Sequence, residues 1–325
     1  WSRWFYADAP MTVAYAYDRL YDSGAFERLS QKNGVDVKAA IENDMLHASI
    51  EFLRTYKEYY SNMSPHIYES LIVYGRILNE PDYVHDGVQR AVDLLRNQFF
   101  FDGIWMEGTI SYHHQTTGLL QRVFNVAKGY SDPAGYTWAQ SGQRFDDLDM
   151  QRDLPFVSKA INSVRALTFP NGRIVAVHDA WARSSSKTTE TNSPVLLSGM
   201  RHARLARGED STAMQAHLHF SGGHGHQHAD NLGLILWAKG RELLSDIGYT
   251  HTAWRTWSTR TPAHNTVTIN QASQSTRGVG GNVTLYAPIS DDLQVVEAQS
   301  LVAYPDVATE YRRRIAVIGV SAADA

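Results

Sequence analysis

The chain has 325 residues and a formal net charge of −4, a length that suggests about two domains and a charge that gives no reason to expect nucleic acid, whose binders carry a basic face. It contains no cysteine, which excludes a disulfide framework or a thiolate metal site, and no apolar run reaches the roughly 20 residues that span a bilayer. Aromatic residues make up 11% of the chain, a composition that serves an ordinary core and also suits stacking on sugar rings.

The first half reads as helices. Apolar residues fall at helical spacing in MTVAYAYDRLYDSG from Met11, and VDVKAAIENDMLHASIEFLRTYKEYY from Val35 is a long amphipathic run. HIYESLIVYGRILN follows Pro65, and PDYVHDGVQRAVDLLRNQFF opens on Pro81, a residue suited to a first helical turn. HHQTTGLLQRVFNVAKGY from His113 and DLPFVSKAINSVRALTFPNG from Asp153 complete the set. Helices joined by short loops predict stacked helical hairpins, as a toroid or a solenoid.

Near Phe169 the texture changes. PNGRIVAVHD reads as a turn and a short strand, and the polar stretch RSSSKTTETNSP as an exposed loop. Short alternating runs bounded by Gly, Asn and Asp then follow: VLLSGMRHARLA, TAMQAHLHF, LGLILWA, RELLSDIGY, NTVTIN, NVTLYAPI, LQVVEAQSLVAY and YRRRIAVIGV. They predict antiparallel strands, with a hairpin turn at AKGRE. Helices first and strands after give an α+β chain, with a helical domain over 1–170 and an antiparallel β domain over 171–325. The chain opens on Trp1 without a signal-like segment and closes soon after a strand-like run, so a fragment or a processed chain is expected.

The chemistry concentrates in GGHGHQHADNLGLILWAKGRELLSDIGY and the later RTPAHNTVTIN. His224, His226 and His228 alternate, and in an extended strand residues two apart share a face. The stretch is therefore expected to present a row of imidazoles. Asp246 and His264 lie at the edges of later strand-like runs. Histidine and aspartate form a nitrogen and oxygen ligand set for Zn²⁺ or a similar divalent ion; the alternative is a mobile polar Gly-His loop.

These stretches resemble the hallmark of the heparinase II/III-like polysaccharide lyases, a superfamily that includes oligo-alginate lyases. The resemblance implies an (α/α) toroid, here incomplete, followed by an antiparallel β-sandwich domain. It assigns His226 to the cleft, and His228, Asp246 and His264 to one divalent metal, Zn²⁺, in a mainly structural role. Asp230 is a candidate for fixing an imidazole tautomer, and His224 a cleft-lining side chain. A second stretch, DGIWMEGTISYHHQT, extends the resemblance and matches Tyr112 to a proton-transfer tyrosine. Trp105 then offers a sugar-stacking face, Glu107 positions the loop, and His113 is a substrate-binding candidate. A free phenol with a pKa near 10 needs neighbouring charge to act as a base. In YYSNMSPHIYES, Asn62 matches an asparagine that is often followed by histidine in the family. Here Met63 follows it, and His66 is the nearest replacement. Tyr249, Arg255 and Arg260 are candidates for a loop over the cleft, an arginine fork being suited to a uronate carboxylate. The family has an aspartate near His178-Asp179, with a role that the sequence leaves open.

The expected activity is β-elimination on a uronic-acid polymer, alginate or a glycosaminoglycan. Asn62 would neutralise the carboxylate while Tyr112 and His226 share base and acid. Tyr112 does both if the two groups leave from one face; if they leave from opposite faces, His226 is base and Tyr112 acid. The partner is then an anionic polysaccharide or oligosaccharide, and the resemblance implies a secreted or periplasmic location. The rival readings are a zinc-dependent hydrolase with the same three metal ligands, a two-carboxylate glycosidase, and a catalytically inactive polysaccharide-binding protein.

Overall fold

A computed structural model describes residues 3–55, 60–182, 185 and 191–320, with side chains from residue 11 onward. The chain divides into two compact units, Trp1–Gln98 with Gln115–Ser158, and Phe99–His114 with Lys159–Ala325. Most of the polar stretch from Arg183 lies outside the described residues, as do residues 56–59 at the end of the long amphipathic run.

The first unit is helical. Its described part holds α1 (Arg3–Leu20), α2 (Ala25–Asn33), α3 (Val37–Ala40), α4 (Ala48–Thr55), α5 (Pro65–Leu78), α6 (Pro81–Gln98), most of α7 (Ile110–Ala127) and α8 (Met150–Asp153). Asp36 caps α3 by accepting the Ala39 N–H at 3.0 Å. A π-helical segment, Ile41–His47, carries α3 directly into α4, so the run read from Val35 is helical from Val37 to Thr55. Prolines open α5 and α6 because the missing N–H is one that a first turn leaves unpaired anyway. α5 packs on α6, and Ile72, Val84, Ala91 and Leu94 of this pair are fully buried, at about 1.5–3 kcal/mol for each large apolar side chain. The backbones come close at glycine. A Cβ on Gly87 would stand 2.8 Å from both Ile72 Cγ1 and the Tyr68 carbonyl oxygen.

The second unit is built on two antiparallel sheets. One runs in sequence order through β1 (Val195–Leu197), β2 (His202–Arg207), β3 (Met214–His219), β4 (Gly233–Ala238) and β5 (Arg241–Leu244). The other is β6 (Asn282–Ser290), β7 (Leu293–Gln299) and β8 (Arg312–Ile318). The period of two along a strand sorts residues between two cores. Ala203, Leu205, Ala216 and Leu218 pack with Val296, Ala298 and Val317 of the second sheet, which makes the sandwich. On the opposite face, Ile235 and Trp237 join Val164, Leu167, Phe169, Val175 and Val177. Lys239 and Gly240, both at positive φ (51° and 73°), form the hairpin expected at AKGRE. The fold is thus α+β, with helices of the incomplete toroid preceding an antiparallel sandwich. No helix among the described residues is long and apolar enough to cross a membrane.

Three expected strands are not strands. Residues 173–177 make only isolated bridges, Thr168 with Ile174 and Arg173 with Ser185, and the apolar side chains from Ile174 on are taken up by the core. NTVTIN is held by side chains: Arg313 binds the carbonyls of Leu232 and Asn265 at 2.6 and 2.7 Å, and Thr266 Oγ1 donates to the Asn231 carbonyl at 2.8 Å. The histidine row is a loop with a turn at 225–226, so its imidazoles do not share one face.

Candidate active site and metal centre

The site is organised by Asp179, a fully buried carboxylate. It accepts from His226 Nδ1 at 3.1 Å and from His228 Nε2 at 2.9 Å. Arg255 closes on it as a fork, with both guanidinium distances at 2.8 Å. Burial disfavours the charged carboxylate, but the bonds from His226, His228 and Arg255 outweigh it and hold the group well below the usual carboxylate range. The Asp179 amide also donates to the His226 carbonyl at 3.3 Å, which fixes the histidine loop to the 178–180 turn.

Around this centre stands the segment Phe99–His114, which belongs to the β unit although the chain reaches it from α6. Ile104 and Ile110 enter the β unit's core. Asp102 accepts the Met200 N–H at 2.9 Å, and Ser111 Oγ accepts the Trp181 N–H at 2.8 Å. This brings Tyr112 onto His226, ring on ring, with centroids 3.7 Å apart and planes at 21°. Glu107 Oε1 lies 3.3 Å from His226 Nε2. The bonds to Asp179 and then to Glu107 push the His226 imidazole up to about 9. The Tyr112 phenol rises to about 12, first by burial and then through Tyr249 and Asp179. The sequence left room for neighbouring charge to lower that value; the surrounding carboxylates and Tyr249 act the other way.

The second arm of Asp179 reaches the candidate metal ligands. Because His228 gives its Nε2–H to Asp179, its Nδ1 is left as an acceptor, and that nitrogen is buried without a hydrogen-bond partner. A carboxylate behind an imidazole is the arrangement that fixes the tautomer of a metal-binding histidine. Ligand atoms of His228, Asp246 and His264 all lie within 4.8 Å of one another, and all three residues are buried. Asp246 Oδ1 takes the Gly248 N–H at 2.9 Å, while Oδ2 stands 2.6 Å from His264 Nδ1. The segment before His264 is tied to the histidine loop by the Ala229 N–H on the Thr259 carbonyl and by Thr261 Oγ1 on the Ala229 carbonyl. Two imidazoles and a carboxylate suit a divalent ion such as Zn²⁺, so the residues fit the expected metal.

Other candidates are placed differently. Trp105 is fully buried, edge-on to Phe99, and its indole Nε1–H donates to Glu107 Oε2 at 2.7 Å; it has no face to offer a sugar and serves to aim Glu107. His113 is also fully buried, and its Nδ1 accepts the Trp105 N–H at 3.1 Å. Burial pushes His113 down to about 3, so this imidazole is a neutral internal prop and not a substrate contact. The Arg255 fork, expected to take a substrate carboxylate, is occupied by Asp179. Tyr249 packs beneath the Arg255 guanidinium at 4.8 Å from its ring centroid. Arg260 is exposed. Asn62 and His66 lie in the helical unit. Asn62 Nδ2 donates to Gln115 Oε1 at 2.9 Å, and His66 is buried in the first turn of α5. His224 packs against Gly108, where an added Cβ would come 2.9 Å from its Nε2. Asp179 is the residue to which the sequence could give no role. A lone Asp after an apolar run has no diagnostic spacing, and only its three partners reveal it.

Residues 198–317 match the family described as Heparinase II/III-like, C-terminal. No curated protein matches the chain. Among solved structures, the heparinase III BT4657 gene product with methylated lysines is similar over 98% of this chain and 51% of its own, with a TM-score of 0.75 and 15% identity. Heparan sulfate lyase HepC from Pedobacter heparinus is similar over 96% of this chain and 51% of its own, with a TM-score of 0.71 and 16% identity. A further heparinase III has a TM-score of 0.65 and 17% identity over 84% of this chain and 48% of its own. The chain therefore spans about half the length of the structures it matches. Residues 198–317 are thus similar to the heparinase II/III-like C-terminal domain, and the chain has the fold of about half of the heparinase III structures it matches.

Proposed function

We propose that this chain is part of a polysaccharide lyase that cleaves a heparan-sulfate-type glycosaminoglycan by β-elimination. The observation that carries the reading is the stack of Tyr112 on His226 at 3.7 Å, with His226 anchored through Nδ1 to Asp179. Elimination breaks the C5–H bond beside a carboxylate; its electron pair forms the C4–C5 double bond, the C4–O4 bond breaks, and O4 receives a proton. A phenol pushed up to about 12 is protonated at neutral pH, so Tyr112 is the donor to O4. Where the two groups leave from opposite faces, His226 takes the C5 proton through Nε2 in its neutral form, which the push to about 9 makes the minor form at neutral pH. Where they leave from one face, Tyr112 reacts as its minor phenolate form, takes the C5 proton and passes it to O4, while the imidazolium that Asp179 and Glu107 favour stands against the developing charge. Asn62, on the resemblance alone, is the amide for the substrate carboxylate, and Arg260 a further cation for the anionic chain. A polymeric substrate of this kind goes with a secreted or periplasmic enzyme.

His228, Asp246 and His264 would hold the metal. When bound, the ion supplies a crosslink between the histidine loop and the 246–264 segment. The hydrolase alternative needs a metal position open to substrate, whereas these three residues are only 1%, 8% and 8% exposed, which supports the structural role. The test is to incubate the purified chain with heparan sulfate, chondroitin, hyaluronan and alginate and to follow the ultraviolet absorbance of an unsaturated uronate. Absorbance with heparan sulfate is expected. Absorbance with alginate alone would refute the substrate class. New reducing ends without absorbance, or no product from any polymer, would refute the lyase.

A further inference from the structure

We propose that the β unit binds a second divalent cation, held by His178, His219 and Asp230. These residues come from three places: the turn before Asp179, the end of β3, and the loop leading into β4. Their exposures are 0%, 1% and 0%, and one ligand atom from each lies within 4.8 Å of the others. His178 Nδ1 stands 3.3 Å from Asp230 Oδ1, and His219 Nε2 stands 3.3 Å from Asp230 Oδ2. Neither oxygen of this buried carboxylate has a hydrogen-bond donor, nor has His219 Nδ1 a partner. A buried carboxylate is normally paired and hydrogen-bonded on both oxygens, because leaving it bare costs its full hydration.

The tautomers sharpen the point. His178 Nδ1 accepts the backbone N–H of His228 at 3.1 Å, and its Nε2 is bonded to Ser221 Oγ at 2.7 Å. Nδ1 therefore has no proton for Asp230, and two lone pairs face each other in a buried site. A protonated His219 would satisfy Oδ2 but leave Oδ1 against His178. A cation between them neutralises Asp230 and removes the lone-pair contact, at the cost of the His228 N–H bond to His178 Nδ1. It draws the Nδ1 lone pair away from the His228 amide, takes His219 Nε2 and one carboxylate oxygen, and leaves His219 Nδ1 as the protonated nitrogen. Two nitrogens and an oxygen again select a borderline divalent ion such as Zn²⁺. The two sites are neighbours: Asp230 Oδ2 also lies 3.7 Å from His264 Nδ1, so this carboxylate stands between the clusters. A cation on His178 also fastens the residue adjoining Asp179, on which His226 and His228 both depend. The inference rests on this cluster and stands whether or not the chain is a lyase.

The test is a count. The protein is stripped with a chelator, reloaded with excess Zn²⁺, desalted and analysed for metal, and Co²⁺ is followed in parallel by its visible bands. Two equivalents are expected in the wild type and one in His219→Ala, with a second Co²⁺ band set lost in the variant. His264→Ala, which strikes the other site, should also keep one. Should His219→Ala fail to show native circular dichroism, His219→Gln is read in its place. One equivalent or none in the wild type, or two retained when His219 is replaced, overturns the proposal.

Discussion

Replacing Asp179 by Asn tests the centre of the site most directly. The change keeps the shape and removes the charge that His226, His228 and Arg255 share. Hydrogen bonds to a charged group contribute about 1.5–3 kcal/mol each, but Arg255 is 38% exposed at its side chain, and water replaces much of its share. Breaking a buried pair of this kind costs about 3–5 kcal/mol, and at about 2–4 °C per kcal/mol for a unit of this size the melting temperature should fall by roughly 6–20 °C. Asp179 is depressed in the folded state. Its contribution is therefore fully present above the unfolded carboxylate value of about 4 and is lost as pH falls toward the folded value. Wild type should lose stability on acidification below about 4, and Asp179→Asn should lose less over that range. The same substitution frees His228 Nε2 and should weaken Zn²⁺ binding about 10–100-fold. Melting curves across pH and competitive Zn²⁺ titration read both effects. A variant that melts with the wild type at neutral pH and binds Zn²⁺ equally would refute the central role of Asp179.

Tyr112→Phe should lower turnover of heparan sulfate about 10²–10⁴-fold while leaving the melting temperature nearly unchanged; full activity in the variant would remove Tyr112 from the chemistry. Chelation should lower the melting temperature in proportion to the binding free energy of the lost ion, and Zn²⁺ should restore it; a melt indifferent to chelator would mean that His228, Asp246 and His264 hold no structural metal. Gly108→Ala places a side chain at φ 62° and 2.9 Å from His224 Nε2, so a loss of about 1–3 kcal/mol is expected in denaturant unfolding; unchanged stability would contradict the packing of His224 on that turn. Trp105→Phe removes the indole donor to Glu107 and should cost about 1 kcal/mol together with part of the activity, and activity equal to wild type would show that Glu107 needs no such support.

Local sequence determined much of this protein. Helical spacing and Pro65 and Pro81 define α5 and α6, and period-two alternation with Lys239-Gly240 defines the β4–β5 hairpin, because these signals act within a few residues. The candidate ligands His228, Asp246 and His264 come from the resemblance to a family motif and not from local spacing, and folding gathers the three into one buried cluster. What the chain could not show locally is what distant segments do to each other. Residues 174–177 are apolar like a strand but are taken up by a core. NTVTIN alternates like a strand but is held by Arg313 and Thr266. Trp105 looks like a sugar platform and His113 like a substrate contact, yet burial turns one into a support for Glu107 and the other into a neutral prop. Above all, tertiary structure gives Asp179 its place. A side chain that no spacing singles out joins His226 to His228, because folding brings the 178–180 turn, the histidine loop and Arg255 to one carboxylate that water cannot reach. The alternation of histidines suggested one face of a strand; the loop that carries them instead places His226 on Tyr112 and His228 beside Asp246 and His264, with Asp179 holding both.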